Sequence, residues 1–300
     1  MRVLITGSNG FVGKPLRHFL KNNNLDVINL VRNPSHSNVE NEIILKNFYC
    51  EESWLEVLNN IDVVIHLVAV THNQIDEGKS MAEVFKEVNV EITKILCKAI
   101  KKSSVKRLIY LSSIKANGDT TMPGCSFSEL SPTIPEDQAG VTKLEAEKTI
   151  KNLFNNTNKE YVILRLPLLY GKNLKGNLKL FERLIEKGIP LPFGGIRNSR
   201  SILSIDNLCY FLLSSLRGEI TKNKLFLLCD EEQYSTADLV NKIAIDKNLT
   251  SKIFYFPPSL LKLFFFIIGK NDLSKKLLSN LNIDNKASLT ILERAQREKL

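Results

Sequence analysis

Between the apolar run Arg2-Val3-Leu4-Ile5-Thr6 and the amphipathic stretch KPLRHFLKN stands Gly7-Ser8-Asn9-Gly10-Phe11-Val12-Gly13. Glycines at 7, 10 and 13 permit a tight turn, let an anionic group approach the backbone, and allow a helix to pack closely on a strand. The helix N-terminus then offers amide donors to phosphate. A plain structural turn is the bland alternative, but the position between strand and helix favours a pyrophosphate cradle lined by Gly7, Asn9, Gly10, Phe11, Val12 and Gly13. The next strand ends Leu30-Val31-Arg32-Asn33, without the carboxylate that would bind a free ribose 2′-hydroxyl. A guanidinium at 32 suits a 2′-phosphate, so these residues predict a dinucleotide ligand, with NADP(H) favoured and NAD(H) the alternative.

The elements that must hold such a site are legible as a pattern. Short β-branched runs at 2–7, 26–31, 42–45, 62–68, 106–113, 161–167 and 224–228 read as strands buried on both faces. The segments 81–102 and 142–154 carry apolar residues at three- and four-residue spacing and read as amphipathic helices. This alternation predicts an α/β fold, a Rossmann-type doubly wound parallel sheet with a smaller C-terminal substrate-binding lobe. The expected division is 1–170 with about 197–230 for the dinucleotide domain, and 171–196 with 231–300 for the lobe, where Pro- and Gly-marked turns interrupt the helices. His66 is expected to pack within its strand and Asp206 to cap a helix.

Composition bounds the classes of function. The chain is 43% hydrophobic and 24% charged, with a formal charge of +9, as in folded soluble proteins. Its lysines and arginines are scattered, which argues against a nucleic-acid groove and suits an anionic small ligand. Five separated cysteines without a CxxC pair argue for a reduced, cytoplasmic protein with neither disulfide framework nor metal site. The residues after Met1 suit a first buried strand, and no export is expected. The apolar stretch 259–269 contains Lys262 and is shorter than the roughly 20 residues a spanning helix requires, so stable membrane insertion is not expected. It reads as a lobe-covering helix, with membrane-surface contact as the lesser alternative.

GSNGFVG, HLVA at 66–69, Asn89, SSIKANG at 112–118, GVTK at 140–143 and RLPLLYG at 165–171 occur in the order and spacing of one family. Over about residues 1–210 the chain resembles the extended short-chain dehydrogenase/reductases, specifically the nucleotide-sugar epimerase/dehydratase group that includes UDP-glucose 4-epimerase. Within it, SSIKANG, the Val31-Arg32-Asn33 after the second strand and FPPSLLKLFFFIIG look most like bacterial UDP-4-keto-6-deoxy-sugar 4-reductases. The resemblance implies a catalytic set of a strand-end hydroxyl, Ser113, and a Tyr-x-x-x-Lys pair whose lysine is Lys143. One helical turn before that lysine, the family tyrosine position holds Ala139. Pro135, Gly140, Thr142, Glu145 and Glu147 remain on pattern, which reads as a deliberate single replacement of the catalytic tyrosine rather than gradual decay.

The resemblance also extends the cofactor set to Asn47, Leu67, Val68, Ala69, Lys143, Pro167 and Leu168. For substrate it implies Ser113, Lys115, Asn177, Leu191, Phe193 and Arg200, with Phe193 against uracil and Arg200 on the diphosphate. The family often continues past a segment like 281–286 into a Gly-Trp-x-Pro turn, which is not found here, so no contact beyond about 285 is carried over. The expected partner is a UDP-sugar, and relatives commonly dimerise through the two long helices.

The leading expectation is an NADPH-dependent 4-ketoreductase of a UDP-4-keto-6-deoxyhexose, of the 2-acetamido form, giving UDP-N-acetylquinovosamine or its C4 epimer for bacterial surface polysaccharide, here as an inactive variant. The alternatives are a UDP-hexose or UDP-N-acetylhexosamine 4-epimerase with bound NAD, and a non-catalytic dinucleotide sensor.

Overall fold

A computed structural model describes residues 1–33, 39–70 and 79–297. Among the described residues the strands are β1 (Arg2–Thr6), β2 (Asp26–Val31), β3 (Glu42–Ile44), β4 (Val63–His66), β5 (Arg107–Ser113), β6 (Glu160–Leu166), β7 (Leu168–Tyr170), β8 (Arg200–Ser204), β9 (Lys224–Leu227) and β10 (Gln233–Tyr234). The helices are α1 (Gly13–Asn22), α2 (Glu51–Val57), α3 (Met81–Lys86), α4 (Ile92–Lys102), α5 (Gln138–Phe154), α6 (Gly176–Glu186), α7 (Ile205–Ser215), α8 (Thr236–Asp246), α9 (Pro258–Ile267), α10 (Asn271–Leu278) and α11 (Lys286–Arg297).

Seven parallel strands form one sheet in the order β3-β2-β1-β4-β5-β6-β9. The central strands are apolar on both faces because helices cover both. Leu4, Leu30 and Leu108 face α2, α4 and α5 through Trp54, Leu96 and Ile150. Val3, Ile5 and Leu164 face α1 and α7 through Leu16, Leu20 and Phe211. The chain leaves β1 for β2 on one side and later returns to β4 on the other. This reversal opens a crevice at the carboxyl ends of β1 and β4, where open α/β sheets bind ligands. The chain is therefore a Rossmann-type sheet with additional C-terminal helices forming a substrate lobe.

Pro167 ends β6 and turns the chain into β7 of a second sheet, ordered β10-β8-β7. Proline cannot donate to a ladder, which suits this junction. The lobe core gathers Leu178, Phe181, Phe193, Leu239, Leu261 and Phe265 from α6, α8, α9 and the loop between. Two details depart from the expected bounds. β8 belongs to the lobe sheet although it falls within 197–230. The last helix, placed by sequence with the lobe at 231–300, instead inserts Ile291 and Leu292 into the core beside α7. Its Ser288 hydroxyl also donates to the Leu227 carbonyl at 2.8 Å.

The single long helix expected over 81–102 is interrupted by a π turn at Glu87–Glu91. That turn carries Asn89, whose amide nitrogen donates to Thr142 on α5 at 3.0 Å and whose oxygen accepts from the Val70 amide at 3.3 Å. An extra residue in a helix re-aims its neighbours, and here it lets one buried amide join α5 to the loop after β4. No helix among the described residues is long and apolar enough to cross a membrane.

Candidate active site

The Gly-rich turn is built by conformations that only glycine takes without strain. Gly7 has φ +69°, and its carbonyl accepts from the Gly10 amide at 2.9 Å. A Cβ on Gly13 would lie 2.4 Å from that carbonyl oxygen and 2.6 Å from the Ser8 Cα. The first turn of α1 holds no acidic residue and its Val12 N-cap supplies no side-chain bond, so the helix dipole meets no internal anion. Arg17, nearly buried on α1, donates to Asn9 Oδ1 at 2.9 Å and braces the turn. These features fit a pyrophosphate. We expect Gly13→Ala to lower unfolding free energy by about 1–3 kcal/mol through overpacking and to weaken dinucleotide binding in calorimetric titration. Unchanged binding with an unchanged melting curve would refute the cradle.

Across the crevice, the amides of Leu67 and Val68 donate to the Thr6 hydroxyl at 3.1 and 3.4 Å, and Ala69 follows half-buried. Thr6 also meets His66 Nδ1 at 2.8 Å, while Thr93 meets Nε2 at 3.2 Å. His66 is thus a packed strand residue between two hydroxyls, its ring stacked near Tyr110. Burial first, and the nearby Lys143 second, push its pKa down to about 3. A base lowered in the folded state resists protonation there while the unfolded chain accepts protons. Its stability contribution is therefore lost as pH falls from about 6.5 towards 3. By pH 4.5 the loss is about 2–3 kcal/mol. His66→Gln is expected to flatten that part of the stability-versus-pH curve, measured by urea unfolding; an unaltered slope would count against the burial argument.

Arg32 is exposed at the end of β2, its guanidinium carbon 5.9 Å from the centre of the Phe48 ring. Asn47, also exposed, accepts from the Tyr49 amide at 3.0 Å.

At the end of β5, alternate side chains part company. Ser112 turns into the core and bonds to Glu147, whereas half-buried Ser113 accepts from the Lys115 amide at 3.3 Å. The first turn of α5 lies against this segment so closely that a Cβ on Gly140 would be 2.4 Å from the Lys115 carbonyl oxygen. Asp137 caps the helix by accepting from the Gly140 amide at 2.8 Å, and it also bonds the Lys115 ammonium. Ala139 is half-buried and packs against the core beneath α3 and α4.

One turn on, Lys143 crosses to β5 and donates to the Leu111 carbonyl at 2.7 Å. Burial pushes its pKa down to about 8, against the pull of the Glu147 carboxylate. Its ammonium sits 4.6 Å from the Tyr110 ring centre. The Tyr110 hydroxyl offers no accessible acid or base here, because it is fully buried and burial raises its pKa further. The Thr142 hydroxyl is committed to the Gln138 carbonyl at 2.8 Å.

The residues assigned to substrate fall into two groups. Lys115 pairs with Asp119 at 3.5 Å, and Asp119 in turn supports the charge of Arg200 against its burial. Arg200 donates to the Ser279 carbonyl at 2.8 Å. Asp119 thus bears on both Lys115 and Arg200 through its charge, while Ser113 is tied to Lys115 through the backbone amide. Asn177 lies exposed in the first turn of α6, away from this chain of contacts. Leu191 and Phe193 are buried in the lobe, where Phe193 meets Phe181 edge to face at 5.5 Å. Pro167 is buried between the two sheets and Leu168 is 41% exposed beside it. A crevice of about 1930 Å³ opens on the outer side of the turn, against Asn9, Gly10, Phe11, Tyr170 and Asp246. Neither Ser113 nor Lys143 lines it, so the polar convergence at α5, not the size of this crevice, marks the candidate chemistry. Among the described residues no cluster of three or more metal-ligating side chains is found.

The NAD dependent epimerase/dehydratase family matches residues 3–220. The chain belongs to this family. A "UDP-glucose 4-epimerase" of Vibrio cholerae is 34% identical over 284 residues, 94% of this chain and 87% of that protein. A UDP-N-acetylglucosamine 4-epimerase of Bacillus cereus has a similar fold, with TM-score 0.78, 19% identity, and coverage of 98% of this chain and 93% of that one. The same organism's UDP-glucuronic acid 4-epimerase in complex with NAD has TM-score 0.75, again at 19% identity, over 98% and 90%. Fold and homology make the chain an NAD(P)-dependent enzyme of the oxidoreductase/epimerase class.

The comparisons correct the cofactor expectation. Further structures of this fold also carry bound NAD, against the NADP(H) preference read from Arg32. The physical reason is visible in the side chain itself. Arg32 is a solvated strand-end cation over Phe48, and a missing carboxylate at this point does not by itself call for a 2′-phosphate. NAD(H), the alternative, replaces it.

Proposed function

We propose that the site is that of a UDP-hexose 4-epimerase holding NAD, with its proton-transfer step disabled at Ala139. The single observation that carries this reading is the junction of α5 with the end of β5. It brings the Ser113 and Lys143 segments together around a helix turn on which only the phenol is missing. The 34% identity with the Vibrio cholerae protein, spread over nearly the whole chain, supports epimerase over ketoreductase chemistry.

NAD, when bound, would supply the hydride acceptor and donor needed to invert sugar C4. The residues of this chain govern everything else. Gly7, Gly10 and Gly13 hold the pyrophosphate at the start of α1, and the loop 67–69 walls the crevice beside it. Ser113 Oγ donates to the sugar O4 and fixes C4 for transfer. Lys143, now bonded to the Leu111 carbonyl, would hold the nicotinamide ribose and would supply positive charge near O4. The O4 proton must leave as the hydride leaves, and a methyl side chain at 139 cannot accept it. Arg200, held by the Ser279 carbonyl, and Lys115, held by Asp119 and Asp137, provide cations for the diphosphate-sugar.

The reading therefore expects a chain that binds NAD and UDP-sugar but turns over slowly. Isothermal titration with NAD, then with UDP-glucose and UDP-N-acetylglucosamine, tests it. Absence of NAD binding, or rapid epimerisation by the unaltered chain, would overturn it.

A further inference from the structure

The helix α9 presents an apolar face to solvent that the lobe does not use. Leu261 and Phe265, one turn apart, are buried in the lobe core and account for its attachment. Leu260, Leu263, Phe264 and Ile267 follow the i, i+3, i+4, i+7 rule on another face and are 50%, 51%, 53% and 72% exposed. The patch continues through Phe266 and Ile268 at the end of the helix, and through Tyr255 before it. Single exposed apolar residues are ordinary, but a contiguous group of this kind marks an interaction surface.

The charge around the patch selects the occupant. Residues 251–276 contain Lys252, Lys262, Lys270, Lys275 and Lys276 against one acid, Asp272. Lys275 is paired with Glu136 at 2.9 Å, whereas Lys262, Lys270 and Lys276 are exposed and form no ion pair among the described residues. A second copy docked face to face would set these like charges against one another. An anionic lipid surface instead meets the lysines with phosphates and receives the leucine and phenylalanine side chains between its headgroups. This is the pattern of an interfacial helix with large aromatic and aliphatic side chains on one face and lysines at its margins. At ten residues α9 is too short to span a bilayer, so it lies in the interface.

We infer that the α9 face docks the protein peripherally on an anionic membrane surface, with Leu260, Leu263, Phe264 and Ile267 entering the headgroup region and Lys262, Lys270 and Lys276 engaging lipid phosphates. This docking does not depend on the reading of the dinucleotide site, and its test is separate from any activity.

The test is co-sedimentation of the full chain with vesicles of phosphatidylcholine containing a quarter phosphatidylglycerol, alongside vesicles of phosphatidylcholine alone. Binding to the anionic vesicles is expected, weakening with added salt. Leu263→Glu with Ile267→Glu should reduce the bound-to-free ratio at least about tenfold, and Lys262→Gln with Lys270→Gln by a similar order. Because the replaced side chains lie on the surface, the thermal midpoint of each variant is the folding control and should be retained. No binding to anionic vesicles, or equal binding by the wild-type chain and the folded Glu variant, overturns the proposal. Conversion of a dimer to a monomer by the Glu variant, without any vesicle binding, would assign the face to a second copy instead.

Discussion

Ala139→Tyr is expected to raise 4-epimerisation of a UDP-hexose in the presence of NAD by about 10²- to 10⁴-fold, the range that a positioned proton-transfer group contributes. The surroundings of the position give the reason. Gly140 is held against the Lys115 carbonyl and capped by Asp137, so the first turn of α5 is fixed in place whatever side chain stands at 139. Ala139 itself is half-buried beside the core, on a helix turn already packed against the segment after Ser113. One turn later stands Lys143, whose ammonium would acidify a neighbouring phenol. The measurement is conversion of UDP-glucose or UDP-N-acetylglucosamine followed by chromatography of the product. Lys143→Met on the Ala139→Tyr background should remove most of the gain, which separates a restored phenol from a merely better-packed helix. If Ala139→Tyr folds, binds NAD and still turns over no UDP-sugar, the proposed chemistry fails and a binding role remains.

The dinucleotide side of the molecule was legible because strand burial on both faces leaves a strong signal. The runs at 26–31 and 106–113 differ from β2 and β5 by at most one residue. The lobe strands β7, β8 and β10 are five residues or shorter and carry no alternation, so they leave no pattern in the sequence. The π turn was equally hidden, since apolar spacing over 81–102 continues through it and only the tertiary bond from Asn89 to Thr142 explains it.

In the site, Ser113 and Lys143 follow from the family resemblance, whereas Asp137, which caps α5, has no place in that pattern. Arg17 gave no such signal, because an arginine on an amphipathic helix reads as solvated; here it bonds Asn9 instead. Phe193 shows the opposite difficulty. Its sequence context suggested a nucleobase, whereas its ring lies 5% exposed against Phe181 within the lobe. The charged residue within the otherwise apolar run 161–167 is itself a signal of a buried pair. A buried arginine demands a partner, and Arg165 has Glu147 on α5 and Asn117 in the segment after β5.

That partner network should be the most costly polar group to break. Arg165 Nε and Nη2 donate to the two oxygens of Glu147 at 2.9 and 2.6 Å, with side chains only 5% and 1% exposed. Nη1 donates to Asn117 Oδ1 at 2.9 Å, and Ser112 donates to Glu147 from β5. Arg165→Met leaves a carboxylate buried without its fork of donors, and about 3–5 kcal/mol of unfolding free energy should be lost. Replacing both partners, Arg165→Met with Glu147→Leu, should recover most of that loss, since an apolar pair of similar volume requires no desolvation of charge. Urea unfolding of the two variants checks this, and equal destabilisation in both would contradict the account. The pair also reaches the chemistry. Glu147 is one turn from Lys143 and raises its pKa against the stronger effect of burial. Without Glu147 the lysine therefore holds its proton less well and falls further below about 8. On the Ala139→Tyr background, the double replacement should thus yield a folded protein whose rate declines at lower pH than that of Ala139→Tyr alone. A purely structural network would leave the two pH profiles superimposed.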